Sequence, residues 1–304
     1  MSSIGRISVI GAGAMGAFYA GKFLDMDKSC ISLLAKGERY NRLKEGGLII
    51  NDKQYWFPLI STEERTSPSD LIIVAVKNHH LAEAIQDLKN RVGENTLILS
   101  VMNGIDSEEQ IGAVYGMEKV LYAVAVGIDA VRQGNRITYT KEGKLFFGEA
   151  KNPDFTGRVK RVKSLFDRAG IACEIPQDMI RTLWWKFMIN VGLNQASAAL
   201  GAPYSVFQTS QEARELMESG MREVITIAKA AEVHLSEQDI EEWYSFLSGM
   251  SPKGKTSMVQ DIEAKRKTEV EMFAGKVMEL GKEYGIPTPV NQTLFRIIKV
   301  MEGM

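Results

Sequence analysis

The chain has 304 residues, enough for two domains that each bury a core, which excludes a small scaffold stapled by disulfides or metal. Hydrophobic residues at 45%, charged residues at 25% and only 8 prolines sit at the averages of folded proteins and exclude a disordered or fibrous chain. With 37 Lys and Arg against 38 Asp and Glu the formal charge is -1, whereas displacing counterions from phosphates needs a basic surplus, so nucleic acid is not an expected partner.

In chain order, the first predicted element is a strand over Arg6 to Ile10. No charged segment followed by an apolar signal core precedes it, and no apolar run approaches the roughly 18 residues of a membrane span, so a cytoplasmic protein without membrane partners is expected. Gly11-Ala12-Gly13-Ala14-Met15-Gly16 follows directly and opens a helical stretch from Ala17. In such a turn Gly11 permits the tight bend, Gly13 lets backbone approach a pyrophosphate, and Gly16 lets helix and strand pack closely. The helix N-terminus then offers free N–H groups and positive dipole to phosphates, so the turn predicts dinucleotide binding through residues 11–16.

The second strand, Ile31 to Ala35, leads to Lys36. An acidic residue there would take the ribose hydroxyls of NAD; a cation instead favours the 2′-phosphate of NADPH. The third strand, Leu71 to Val76, ends at Lys77, and the fourth, Leu97 to Val101, runs into Met102-Asn103-Gly104. Ligands of open α/β sheets bind beyond the carboxyl ends of strands, which makes Lys77 and Asn103 candidate site residues; Asn-Gly is also a common turn. Short continuous apolar strands alternating with helical patterns predict a doubly wound parallel sheet of Rossmann type. Arg136 to Thr140 and Lys144 to Phe147, joined by Lys141-Glu142-Gly143, read as a hairpin appended to that sheet.

Ile175-Pro176-Gln177 is the predicted boundary, dividing the chain into residues 1–176 and an all-helical domain over 177–304. There, Gln211 to Ala231 and Thr256 to Tyr284 carry apolar residues at three- and four-residue intervals and are punctuated by Pro203, Pro252, Pro287 and Pro289. Cys30 and Cys173, with His79, His80 and His234, show no metal-ligand spacing, and no metal site is expected.

Within Leu183 to Asn194 the polar residues are Lys186, Asn190 and Asn194, at i, i+4 and i+8 among Trp, Phe, Met, Ile and Leu. On a helix they share one face. A buried cation and two buried amides need polar partners, each unsatisfied group costing about 1–3 kcal/mol, and a polar substrate would supply them.

The glycine turn, Lys77, Asn103-Gly104, this stripe, Ser257-Met258 and Glu269 together resemble the ketopantoate reductase family over nearly the whole chain. The resemblance implies an NADPH-dependent 2-dehydropantoate 2-reductase that makes (R)-pantoate for pantothenate and coenzyme A. By position it implies Gly11 to Gly16 at the pyrophosphate and Lys77 at the adenosine ribose. Asn103 would meet both nicotinamide and substrate, Ala130 would give a backbone contact to the cofactor, and Lys186 would be the proton donor. Asn190, Asn194 and Ser257 would contact substrate, and Glu269 would support catalysis from the cofactor side. A protonated Lys186 suits the chemistry, since it can stabilise and then protonate an alkoxide.

The family usually has arginine at the position of Lys36, and some members have a substrate-binding asparagine at that of Tyr204. A D-2-hydroxyacid dehydrogenase acting on another branched 2-oxo acid therefore stays open, as does a non-catalytic NADPH sensor. So does the choice between monomer and homodimer. On one uninterrupted helix Ser257 and Glu269 would stand about 18 Å and roughly 120° apart. Either Ser257 precedes the helix or the two residues serve different ends of the ligands.

Overall fold

The computed structural model describes residues 3–304, which form two compact units, one extending through Thr182 and one from Leu183 to Met304. Strands β1 (Ile7–Ile10), β2 (Ile31–Ala35), β3 (Leu48–Ile50), β4 (Lys53–Tyr55), β5 (Leu59–Ser61) and β6 (Leu71–Val74) come first. They are followed by β7 (Leu97–Ser100), β8 (Val120–Ile128), β9 (Val131–Gln133), β10 (Arg136–Thr138), β11 (Glu142–Gly148) and β12 (Cys173–Glu174). Between them run α1 (Ala14–Met26), α2 (Gly37–Gly46), α3 (Leu81–Asp87), α4 (Ser107–Tyr115) and α5 (Gly157–Arg168).

Eight strands form one sheet in the order β12-β11-β8-β7-β6-β1-β2-β5, parallel from β5 to β8. The chain winds outward from β1 through β2 and then returns to its other side at β6, placing the topological switch point at β1. The central strands are buried on both faces, as their mostly apolar runs require, and the Ser8 and Ser32 hydroxyls of β1 and β2 lie 3.1 Å apart between them. Because side chains alternate, Val9, Leu33, Ile73 and Leu99 enter one core while Ile10, Leu34, Ile72 and Ile98 enter the other.

The predicted hairpin does not form. β10 pairs with β9 and β3 in a separate four-stranded sheet, whereas β11 pairs antiparallel with β8 in the main one. The Asp129 carboxylate accepts the Thr140 and Lys141 backbone N–H groups at 2.8 Å each, closing the base of an inserted β9–β10 hairpin and handing the chain back to β8. That inserted hairpin turns on Gly134, whose φ of 62° a tight turn requires.

The units divide six residues beyond Pro176. Gln177 and Pro176 carbonyls accept from Asn152, and the Met179 N–H donates to Ala150, so residues 176–179 remain hydrogen-bonded to the α/β unit.

The second unit is helical throughout: α6 (Met179–Ile189) enters it, followed by a π turn (Asn190–Asn194), α7 (Gln195–Leu200), α8 (Tyr204–Thr209), α9 (Gln211–Ala230) and α10 (Glu237–Ser248). Then come α11 (Ser257–Glu263), a second π turn (Glu271–Gly275), α12 (Lys276–Tyr284) and α13 (Pro289–Glu302). The helical stretch read over 256–284 is thus broken. Lys265 takes a left-handed φ of 51°, the Arg266 N–H donates to the Asp261 carbonyl, and the Thr268 N–H and hydroxyl both donate to Glu302, ending α11 and redirecting the chain. No described helix is long and apolar enough to cross a membrane.

Candidate active site

The glycine turn lies at the switch point, between β1 and α1. Gly11 has a φ of 97°, and a Cβ there would stand 2.5 Å from the Ala75 carbonyl oxygen; a Cβ on Gly16 would overlap the Gly11 carbonyl. Those two glycines are demanded by the chain's own packing. Gly13 is different: its Cβ would meet only the Ala75 oxygen at 3.9 Å, so the fold does not need its bareness and its backbone is open to an external group. Gly13 also caps α1 without a side-chain bond, leaving the first-turn N–H groups aimed outward. The residues therefore fit a dinucleotide pyrophosphate. Arg132, whose guanidinium donates to the Ala12 carbonyl, adds positive charge beside this turn; nothing in its spacing marked it.

We expect Gly13→Ala to fold with a loss of about 1 kcal/mol, since Ala is a poorer N-cap than Gly, while dinucleotide affinity falls. Gly16→Ala should instead lose about 1–3 kcal/mol or more by overpacking. Thermal melts beside a cofactor titration check both, and equal melting losses would remove the distinction.

Lys36, Lys77 and Asn103 follow β2, β6 and β7 and lie at the same carboxyl edge of the sheet. Lys77 caps a short 3₁₀ turn, Asn78–His80, and is half-buried, as is Asn103 beside Gly104 with its φ of 98°. Ala130 sits half-buried between β8 and β9. Lys36 is not a free cation: its Nζ lies 2.8 Å from Glu83 Oε1 and 2.8 Å from Asp87 Oδ1. Hydrogen bonds to Asp87 and Glu83 raise its pKa.

In the helical unit Asn190 and Asn194 are buried and Lys186 is half-buried, so the stripe is not a solvent face. An α-helix overshoots by about 40° every four residues, and Lys186 to Asn190 follows that path. The π turn from Asn190 to Asn194 widens the coil and takes back part of the overshoot, aligning Asn194 more closely with Lys186. Gly192 makes the turn's close approach to α9 feasible, since a Cβ there would stand 2.5 Å from Met221 Cγ. Desolvation pushes the Lys186 ammonium down to about 8.

Ser257 is exposed at the first turn of α11, and Thr256, not Ser257, caps that helix. Hydroxyls link this start to the stripe: Ser197 donates to the Asn194 carbonyl at 3.0 Å and lies 2.7 Å from the Thr256 hydroxyl. Glu269 precedes the second π turn, its carbonyl accepting from Met272 and Phe273. Gln195, which sequence reading did not single out, joins the two π turns. Its amide donates to the Val191 carbonyl at 2.8 Å and its oxygen accepts the Ala274 N–H at 3.0 Å. The segments carrying Lys186, Asn190, Asn194, Ser257 and Glu269 are thereby packed on one another within one unit. Among the described residues no group of three or more His, Cys, Asp or Glu is placed to hold a metal.

A glycine turn at the switch point of a parallel sheet, followed by a helical unit with a desolvated lysine on a polar stripe, defines a two-domain oxidoreductase of Rossmann type. The family model described as ketopantoate reductase PanE/ApbA matches residues 7–152, and its C-terminal counterpart matches residues 178–302. The chain belongs to the ketopantoate reductase family, whose members are oxidoreductases acting on CH–OH groups. It is 27% identical over 303 residues to a 2-dehydropantoate 2-reductase of Aquifex aeolicus, covering 98% of this chain and 97% of that one. Among solved structures it resembles a 2-dehydropantoate 2-reductase of Geobacter metallireducens, with a TM-score of 0.87 and 25% identity over 97% of this chain and 99% of the other. A D-mandelate dehydrogenase solved with NADH and anilino(oxo)acetate has the same fold, with a TM-score of 0.87 at 22% identity and 98% coverage of both chains.

Proposed function

We propose that this protein reduces 2-dehydropantoate to (R)-pantoate with NADPH, in the branch that supplies pantothenate and coenzyme A. The observation that carries this reading is the desolvated Lys186 in line with two buried amides, a proton donor beside groups that can hydrogen-bond the carboxylate and hydroxyl of a 2-oxo acid. NADPH, when bound, supplies a hydride to the 2-oxo carbon. The residues of the glycine turn hold its pyrophosphate, Lys36 and Lys77 its adenosine end, and Asn103 and the Ala130 backbone its nicotinamide side. Lys186 stabilises the developing negative oxygen and delivers the proton to it. Asn190, Asn194 and Ser257 hold the carboxylate and hydroxyl, and Glu269 supports the site from the cofactor side.

A second reading, a D-2-hydroxyacid dehydrogenase acting on another branched or aryl 2-oxo acid, is supported by the likeness to a D-mandelate dehydrogenase and, where some family members have a substrate-binding asparagine, by Tyr204. Its ring packs on Gly254, where a Cβ would stand 2.8 Å from it, in the loop that leads to Ser257. Comparing kcat/KM for 2-dehydropantoate and an aryl 2-oxo acid by NADPH absorbance separates the two. Preference for the aryl acid would replace the first reading by the second.

Asn190→Ala and Asn194→Ala should each raise KM for the 2-oxo acid while the Kd of NADPH, measured without substrate, stays within about twofold. The loss should shrink for an analogue lacking the hydroxyl, because the deleted amide then has one partner fewer. Parallel losses in every ligand with a lowered Tm would assign these amides to packing instead.

A further inference from the structure

A cleft of about 400 Å³ opens at the carboxyl ends of β1 and β2, entirely within the α/β unit. Ile10 and Leu34 contribute apolar surface to it, Arg39 and Arg42 with one acid, Glu38, line it from α2, and Glu83 and Asp87 line it from α3. Lys36 lies between these walls and is bound to the acidic one by two 2.8 Å contacts. Two carboxylates on one ammonium leave that side with a net negative charge. In a sheet of this kind the residue after the second strand faces the ribose 2′ position, where a phosphate would carry close to two negative charges.

Resting on the nicotinamide reading above, we propose that Glu83 and Asp87 set cofactor selectivity by holding Lys36 away from the adenosine 2′-phosphate, so that the protein binds NADH alongside NADPH. Neither acid follows a strand or belongs to the glycine turn. Their effect comes from α3 standing one helical turn apart at positions i and i+4, which lets both carboxylates reach one ammonium. Lys36 still contributes to NADPH binding, but only after part of its interaction with the acids is given up. Arg39 and Arg42 supply the remaining attraction for phosphate from the opposite wall.

The test is a calorimetric titration of the full-length protein with NADPH and NADH, and with adenosine 2′,5′-bisphosphate and AMP, which differ by the 2′-phosphate alone. Glu83→Gln, Asp87→Asn and the double variant are compared with wild type. The double variant should raise the Kd ratio of NADH to NADPH about tenfold, by tightening NADPH and the bisphosphate only, as expected for removing like charge a few ångströms from a phosphate. The gain should shrink in high salt, because the cleft is open to solvent. Lys36→Ala should move the ratio the other way. Glu83 is the more exposed acid, so Glu83→Gln alone keeps the test valid if the double variant is destabilised. An unchanged ratio, or equal shifts for both members of each pair, would overturn the proposal. Wild-type protein that binds neither dinucleotide would overturn the nicotinamide reading with it.

Discussion

Lys186→Ala is expected to lower kcat by about 10²- to 10⁴-fold, the usual contribution of a positioned general acid. NADPH affinity should change little, since the residue acts on the substrate oxygen. The pH dependence carries the sign of the mechanism. With its pKa pushed down to about 8 by desolvation, the ammonium is the active form, so kcat should be level on the acid side and fall as pH rises through about 8. Lys186→Arg keeps a cation and should lose that alkaline limb. Stability should run oppositely to activity. A folded-state pKa below the unfolded value of 10.5 means that the charged lysine is unfavourable in the fold. That penalty is fully present below about pH 8 and is released as pH rises from there toward 10.5. Lys186→Met should therefore melt higher than wild type at neutral pH while losing turnover. Wild-type kcat in Lys186→Ala would sink the assignment of the proton donor.

Gln195→Leu should lower stability by about 2–6 kcal/mol. The substitution keeps the volume but leaves the buried Val191 carbonyl and the buried Ala274 N–H without the partner each has now, and an unsatisfied buried group costs about 1–3 kcal/mol. The Gln195 amide also donates to Asn291 Oδ1 at 2.9 Å, and Asn291 in turn donates to Glu223, so the loss reaches α9 and α13. The first π turn carries both Asn190 and Asn194, so a loosened turn should also raise KM for the 2-oxo acid more than it raises the Kd of NADPH. Denaturant unfolding and steady-state kinetics read the two effects separately. A variant as stable as wild type would show that the π turns do not depend on this amide.

Much of the α/β unit was legible along the chain. Ile31–Ala35 is a strand at its predicted bounds, the run predicted from Arg6 starts one residue later and ends at Ile10 as predicted, and the runs from Leu71 and Leu97 end two residues and one residue early. Such runs are legible because a strand buried on both faces is apolar at most positions, and the few polar ones here, Ser8, Ser32 and Ser100, are small and buried. The glycine turn was legible for a related reason: Gly11 and Gly16 sit where backbone geometry admits no side chain. The Lys186, Asn190 and Asn194 stripe was legible as polar residues where burial should forbid them.

What the local sequence determined, then, was which segments become strands and helices, where the glycine turn falls and which polar residues share a helix face, since each depends on neighbours a few positions apart. Partnership was decided only by the tertiary structure. β11 reads as the second arm of a hairpin with β10, yet pairs with β8, which lies before the inserted β9 and β10, because Asp129 closes that insertion through bonds to residues eleven and twelve positions away. The break between α11 and the second π turn carries no Pro or Gly, and depends on Glu302 reaching Thr268 from 34 residues away. Lys36 reads as a cation open to a phosphate and becomes the centre of a three-residue ion cluster because α3 brings Glu83 and Asp87 to it from some 50 residues further along. In each case the deciding bond joins groups distant in sequence, and the local periodicities from which elements are read carry no trace of it.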